Sequence, residues 1–399
     1  MARSARKTRR VAIMLDLQWP YRRHVDVFLG VDRYARECGR WDMVIDEFPQ
    51  QALARYDGVV ARATPALVRK ARSAGVPVVN VWHNAPVRGL PGVYPDFAAA
   101  GRQAAEHLLE LGLRRFVCVF FPANRTHQAM EQAFRSAIEA AGHGCQANRA
   151  ETDQPARDEA TWQRSQALLA RWARTWEPPI GVFVAFNGCD ARRVSQACLQ
   201  QGLRIPDDVA LVVADDDLPI CLQPLPTLPG IDLGYERAGC EAARLLDQLM
   251  SGKAAPPEPI LVPGGGIHAR QSTDCFATDD ATVSAALRFI ARRLAKPLSV
   301  DEVATEVGAS RRTLERKFQR FAQRSVFGEV RRLRIERAKR LLIDTDLPIK
   351  QVARACGFDS HLSLYQVFVR EAGSSPSRFR KANGGKIGQT PTPPASPCC

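Results

Sequence analysis

Short apolar runs separated by longer amphipathic stretches fill the first two thirds of the chain. The segments VAIMLDL (11–17), DMVID (42–46), GVVAR (58–62), VPVVNVW (76–82), RFVCVFF (115–121), IGVFVAF (180–186) and VALVVAD (209–215) are continuous rather than alternating, the pattern of strands buried on both faces of a parallel sheet. Between them, residues 23–38, 66–74, 97–111, 127–141, 159–175 and 190–201 place apolar side chains at helical spacing. Such alternation predicts an α/β body of two subdomains, each a doubly wound parallel sheet, because so many strands exceed one ordinary sheet. Ligands of open α/β sheets bind beyond the carboxyl ends of the strands. That rule singles out Asp16 to Trp19, Trp82 to Asn84, Phe121 to Asn124, Asn187 to Asp190 and Asp215 to Asp217. Asp190 also suits plain helix capping. The run Asp215-Asp216-Asp217 crowds three like charges, so at least one calls for a partner, either a ligand hydroxyl or a basic side chain.

Residues 282–381 read differently, as helices only, and they repeat. VATEVGASRRTLERKFQRF (303–321) superimposes on VARACGFDSHLSLYQVFVREAG (352–373) with a shift of 49 residues up to the glycine, then 50 from Ser310 on Ser360. Each copy has a small Ala that lets two helices approach, a Gly suited to a tight turn, a Ser that caps the next helix, and inward Leu and Phe four residues apart. This is the grammar of a helix-turn-helix, whose second helix enters the major groove of DNA. Between the copies EVRRLRIERAKRLLID (329–344) predicts a linking helix with Val330, Leu333, Ile335, Ala338, Leu341 and Leu342 on its apolar side and six basic residues beside them.

Charge sharpens this division. The chain has 399 residues and a formal net charge of +14, and residues 282–381 hold 22 Lys and Arg against 10 Asp and Glu. Another five cations crowd the first ten residues, so the body between is slightly acidic. A basic block behind an acidic body suits a module that meets a polyanion. The predicted organisation is a basic tail (1–10), an effector-binding body (11–274), a linker (275–281), a DNA-binding domain (282–381) and a disordered tail (382–399). No run approaches 18 consecutive apolar residues, which argues against membrane insertion. The 11 cysteines include no C-x-x-C pair and read as reduced thiols of a cytoplasmic protein. No cofactor or metal is implied, since the seven histidines do not cluster at ligand spacing. An α/β enzyme acting on a sugar is the competing class, but the G-x-S-x-G, H-E-x-x-H and G-x-x-x-x-G-K-[ST] motifs are missing, and PGGG (263–266) reads as a loop.

The stretch GVFVAFNGCDARRVSQACLQQGLRIPDDVALVVADDD (181–217) resembles the ligand-binding core of LacI-type regulators, which share the fold of periplasmic sugar-binding proteins. DGVVAR (57–62), GVPVVNV (75–81), AAEHLLELGLRRFVCV (104–119), PLPTL (224–228) and GYERAGCEAARLLDQLMSG (234–252) extend the resemblance in order. It implies a cleft in which Asp190 and Asp215 accept hydrogen bonds from sugar hydroxyls; Asp16, Trp19 and Trp82, placed at strand ends by the rule above, are further candidate effector contacts. Met130 stands where that family usually has an arginine that forks onto the sugar. Residues 282–381 resemble the AraC/XylS-type DNA-binding domain. This second resemblance places base readers at Arg312, Glu315 and Arg316 in the first recognition helix and at His361, Leu362 and Gln366 in the second, with Arg311 a further outward candidate. In this order the two parts resemble the xylose-operon type of bacterial regulator. That implies a homodimer on double-stranded operator DNA, a sugar effector, and RNA polymerase as a partner if it activates; a repressor would need the same residues.

Overall fold

The computed structural model describes residues 8–18, 22–46, 53–151, 158–222, 226–273, 280–321 and 324–383. The chain divides into two compact units, Met1–Thr273 and Asp274–Cys399. The first opens with β1 (Arg9–Met14), α1 (Arg23–Cys38), β2 (Trp41–Ile45), β3 (Gly58–Ala61), α2 (Pro65–Ala74), β4 (Val78–Asn80) and β5 (Val93–Pro95). There follow α3 (Phe97–Glu110), β6 (Phe116–Phe120), α4 (Arg125–Ala140), β7 (Cys145–Arg149), α5 (Glu159–Thr175), β8 (Ile180–Val184) and α6 (Gly188–Gln200). After β9 (Val209–Val213), the single turn α7 (Leu218–Cys221) and β10 (Gly230–Asp232), the unit ends in α8 (Tyr235–Met250), β11 (Ile260–Val262) and β12 (Gly266–His268).

Two lobes result. The first holds a parallel sheet of order β2-β1-β3-β4, and β5 pairs with β11 as a short parallel extension bridged from Asn80 to Gly92. The second holds the order β12-β10-β9-β8-β6-β7, parallel except that β12 runs antiparallel to β10, a departure from the purely parallel sheets expected. Burial explains the continuous apolar runs. Val11 and Ile13 pack under α1 and α8 on one face of the first sheet, while Ala12 and Met14 meet α2 on the other. In the second sheet Val182 and Val184 face α5 and α6. Phe183 turns the opposite way and lies against Phe134 of α4 at 5.1 Å between ring centroids. The chain crosses between lobes three times, from β5 to α3, from β10 to α8 and from β11 to β12. Helices α1 and α8 touch backbone to backbone, since a Cβ at Gly30 would fall on the Glu236 carbonyl oxygen and one at Gly239 on that of Val27.

The predicted seven strands are present. The five additional strands escape a pattern reading because β5, β10, β11 and β12 are three residues long, and β7, CQANR, is a polar edge strand in which only Asn148 is buried. The PGGG segment links β11 to β12, with the Gly265 N–H donating to the Asp232 carbonyl at 2.8 Å.

The second unit is helical: α9 (Ala281–Arg293), α10 (Val300–Glu306), α11 (Arg311–Phe321), α12 (Val326–Asp344), α13 (Ile349–Ala355), α14 (His361–Ala372) and α15 (Pro376–Asn383). The sequence repeat becomes a structural repeat. Gly308 and Gly357 turn at φ 63° and 77° between α10 and α11 and between α13 and α14, in the left-handed region that favours glycine. Ser310 and Ser360 accept the N–H of Thr313 and Ser363 at 3.2 and 3.1 Å, and Leu314, Phe318, Leu364 and Phe368 are all fully buried. Helix α12 belongs to both copies: Val326, Val330 and Leu333 enter the first core and Ile335, Ala338 and Leu342 the second. At about 100° per residue these triplets lie roughly 150° apart around the helix. The single apolar side expected for this helix is therefore two nearly opposite faces, one for each core.

Candidate functional site

The strand ends of the first unit converge on a cleft between its lobes. Asp16 follows β1, Arg62 follows β3, and Trp82 follows β4. The Arg62 guanidinium lies over the Trp82 ring at 3.9 Å from its centroid. Burial, aided by the charge of Arg23, lowers the pKa of Arg62, while the Asp16 carboxylate opposes the shift. His24 Nδ1 lies 2.7 Å from the Asp16 carbonyl oxygen, and burial of the ring holds its pKa below the usual imidazole range. Arg23 hydrogen-bonds the Tyr235 side chain, whose hydroxyl burial pushes well up, and it acts on Asp215 as well. Burial raises the Asp215 carboxyl to about 6 even though Arg23 pulls it down, and Asp217, Asp216 and Asp26 add to the rise.

The three adjacent carboxylates have separate tasks. Asp216 takes a forked ion pair from Arg270, with Nη2 to Oδ2 at 3.1 Å, and a bond from His268. The side chains of Arg270 and Asp216 are 3% and 8% exposed. Burial alone would raise the Asp216 pKa, but the His268 and Arg270 bonds outweigh it and lower the value. Asp217 begins α7, and its carboxyl is raised by burial. Asp215 has neither task and, together with Asp216 and Asp217, lines a cavity of about 320 Å³ whose wall also includes Arg22, Asp26, Tyr235 and His268 but not Asp16, Arg62 or Trp82.

Asp190 lies elsewhere. It sits in the first turn of α6, where Asn187 caps the helix by accepting the Asp190 N–H at 3.2 Å and donates back to the Asp190 carboxylate at 2.8 Å; Arg193 adds a third bond at 3.0 Å. Asp190 lines a separate cavity of about 300 Å³ against α5, with Leu168, Trp172, Phe186 and Arg193. The structure therefore does not bring Asp190 and Asp215 into one cavity, because the first turn of α6 faces α5 whereas the end of β9 faces α1 and α8. Met130 lines neither cavity. It is 2% exposed where α4 packs on α3, a contact so close that a Cβ at Gly101 would fall on the Met130 carbonyl. Trp19 lies outside the described residues.

Some cleft residues went unrecognised in the sequence. Arg23 belongs to no motif, and nothing in DGVVAR (57–62) or GYERAGCEAARLLDQLMSG (234–252) marks Arg62 or Tyr235 as a site residue. Asn84 and Asn124, which the strand-end rule does flag, meet across the lobes at 2.8 Å. Next to them Arg125 of α4 donates to the carbonyls of His83 and Ala85, each at 2.7 Å, so this pair of loops ties one lobe to the other.

In the second unit α11 projects Arg312 and Arg316, both exposed, from the side away from Leu314 and Phe318. Arg311 is exposed too and pairs with Asp301 at 3.2 Å, a surface contact of small energetic weight. Glu315 departs from the expectation of a base reader. Its carboxylate accepts the Val326 N–H at 3.2 Å and so fixes the start of α12. On α14 the outward residues are His361, Leu362 and Gln366, and beside them Tyr365 and Val369, which the sequence reading did not single out. Two cations of the basic stretch of α12, Arg332 and Arg334, bond to the protein's own acceptors, while Lys339 makes a surface pair and Arg337 is exposed. Arg332 grips the buried Glu329, Arg334 donates to the carbonyls of Leu294 and Lys296 at 3.1 and 2.9 Å, and Lys339 pairs with Glu336 at 2.8 Å.

Comparison with known proteins agrees with both halves. Residues 105–273 match the periplasmic binding protein-like domain family and residues 291–382 a helix-turn-helix domain family. The chain is a transcription regulator in which a periplasmic-binding-protein-like body precedes an AraC-type helix-turn-helix domain. It is similar over nearly its whole length to the xylose operon regulatory protein of Escherichia coli (strain K12), at 28% identity over 94% of this chain and 98% of that protein. The corresponding protein of Haemophilus influenzae is 26% identical over 93% and 98% of the two chains. Among solved structures, a xylose-binding transcription activator superposes with a TM-score of 0.68 at 25% identity, covering 95% of this chain and all of that one. Among the described residues, no helix is long and apolar enough to cross a membrane.

Proposed function

We propose that this protein is a cytoplasmic, sugar-responsive regulator that activates carbohydrate-utilisation genes, with a xylose-like pentose as effector. The observation that carries this reading is the chemistry at the strand ends of the first unit, where Arg62 lies over the indole of Trp82 beside Asp16, and Arg23 acts on both Arg62 and Asp215, so that donors, acceptors and an aromatic ring are all on offer. Sugar hydroxyls need both kinds of partner, and the apolar face of a sugar ring suits an aromatic wall. Similarity along the whole length to regulators named for the xylose operon supports the choice of sugar. The sensor corresponds to 11–274, a linker to 275–281 and the DNA-binding domain to 282–381. Binding of a homodimer to double-stranded DNA is assigned to α11 and α14, with Arg312 and Arg316 reading bases and Arg311, His361, Leu362 and Gln366 beside them, and RNA polymerase is the partner in activation. The sugar acts only insofar as it binds two states of the sensor unequally.

Titration calorimetry against D-xylose, other pentoses, hexoses and sugar acids tests the effector, with Asp215→Ala as control. Heat with a pentose that falls at least tenfold in affinity in the variant is the expected result, the weight of a hydrogen bond to a charged group being about 1.5–3 kcal/mol. No heat with any neutral sugar, or a sugar chemically altered by the protein, refutes the reading. Transcription from a bound promoter with and without the sugar separates activation from repression.

A further inference from the structure

The two helix-turn-helix units share one backbone plan, yet the outward arcs of their second helices differ in chemistry. On α11 that arc carries Arg312, Glu315, Arg316 and Gln319; at the 50-residue shift of the repeat, α14 carries Leu362, Tyr365, Gln366 and Val369. At about 100° per residue these four positions span roughly 100° of helix surface, turned away from the buried Leu364 and Phe368. Leu362, Tyr365 and Val369 are 58%, 48% and 36% exposed. Three large apolar side chains in one exposed stripe call for a partner surface. The equivalent arc in the same chain supplies arginines suited to base edges, and Arg370 borders the stripe while Lys350, Arg354 and Arg378 are also exposed on this unit, cations suited to phosphates.

We infer that α14 reads thymine methyl groups. Leu362, Tyr365 and Val369 meet 5-methyls in the major groove, where each thymine presents one, and Gln366 beside them suits adenine. The half-site under α14 is therefore A·T-rich, whereas α11 takes guanine through Arg312 and Arg316. This rests on the DNA-binding reading above and adds to it the base class that each half recognises.

The test uses the full chain and a random duplex library at fixed salt. Two selected blocks about one helical turn apart are expected: one containing guanine, relaxed by Arg316→Ala, and one A·T-rich, relaxed by Leu362→Ala with Tyr365→Ala. Deoxyuridine then replaces thymidine block by block, which removes the methyl and nothing else. In the A·T-rich block each contacted methyl should be worth about fourfold in affinity, the transfer weight of one buried carbon. The double variant should no longer distinguish uracil from thymine there. Uracil tolerated by the wild type in that block overturns the inference, as does a double variant with unchanged affinity and preference, the result of a stripe that docks a protein instead. Those failures leave the guanine block standing. Absence of any selected block, the arginine-dependent one included, would instead remove the DNA-binding reading and this inference with it.

Discussion

Replacing Asp215 by Asn should make the sensor more stable and the site worse. The carboxyl is raised from the ordinary value near 4 to about 6 by burial, a rise that already contains the opposing pull of Arg23. At about 1.4 kcal/mol per pH unit, the ionised form in the folded protein costs close to 3 kcal/mol relative to the unfolded chain, or about 2 kcal/mol allowing for its residual exposure. Because the folded group holds its proton more tightly than the unfolded one, this cost is absent below pH 4, where both are protonated, and complete above pH 6. Asn keeps the shape without the charge, so the gain appears at pH 8 and vanishes near pH 3.5. All six tryptophans fall between Trp19 and Trp176, so tryptophan fluorescence during urea unfolding reports on the first unit alone. With a denaturant slope of about 2–3 kcal/mol per molar for a unit of this size, the midpoint should rise by about 0.7–1 M at pH 8. Equal midpoints at pH 8, or a gain that persists at pH 3.5, would show that Asp215 is not held in the cleft as an unfavourable charge.

The other predictions follow from the same kind of contact. Arg270→Met strands the buried carboxylate of Asp216 with His268 alone and should cost about 3 kcal/mol in the same fluorescence assay; since that carboxylate is depressed, the loss should shrink as pH falls below 4. Effector affinity should decline as pH drops through about 6, where Asp215 gains its proton, a trend that Asp215→Asn abolishes in calorimetric titrations. Gly357→Ala should destabilise the DNA-binding unit more than Gly308→Ala, by hydrogen exchange over 281–383, because both turn at positive φ but only the first would drive its Cβ onto a carbonyl, that of Leu294. Arg332→Ala should cost stability, by about 2–3 kcal/mol for leaving Glu329 poorly paired, without changing the salt slope of DNA binding, whereas a phosphate contact would flatten that slope by about one unit.

Local pattern and repeat carried much of this protein into view from sequence alone. Continuous apolar runs announced the central parallel strands because both faces of the sheets are buried there, although the edge strand Trp41–Ile45 has no fully buried residue. Helices 23–38 and 159–175 matched to the residue because apolar spacing, the left-handed Gly39 that ends the first and the Asp158 cap that begins the second are local properties. The repeat announced two helix-turn-helix units because glycine turn, serine cap and Leu-Phe pair recur at fixed offsets. Of the strands of three residues only Val78–Asn80 was legible, because it lies inside the longer apolar run 76–82; the other four have no period of their own and form only where a neighbour offers hydrogen bonds. The partnering of Asp216 was anticipated as a need, but only the fold could choose Arg270 and His268, which lie 54 and 52 residues further along the chain. The same holds for the division of Asp190 and Asp215 between two cavities and for the inward burial of Met130, which depend on which helix each residue meets. Helix α12 shows the limit most clearly. Its composition suggested one apolar side and one basic side, but it lies between two cores, so its apolar residues divide between opposite faces, and Arg332 and Arg334 are spent on Glu329 and on backbone carbonyls 38 and 40 residues away, acceptors that its amphipathic pattern does not reveal.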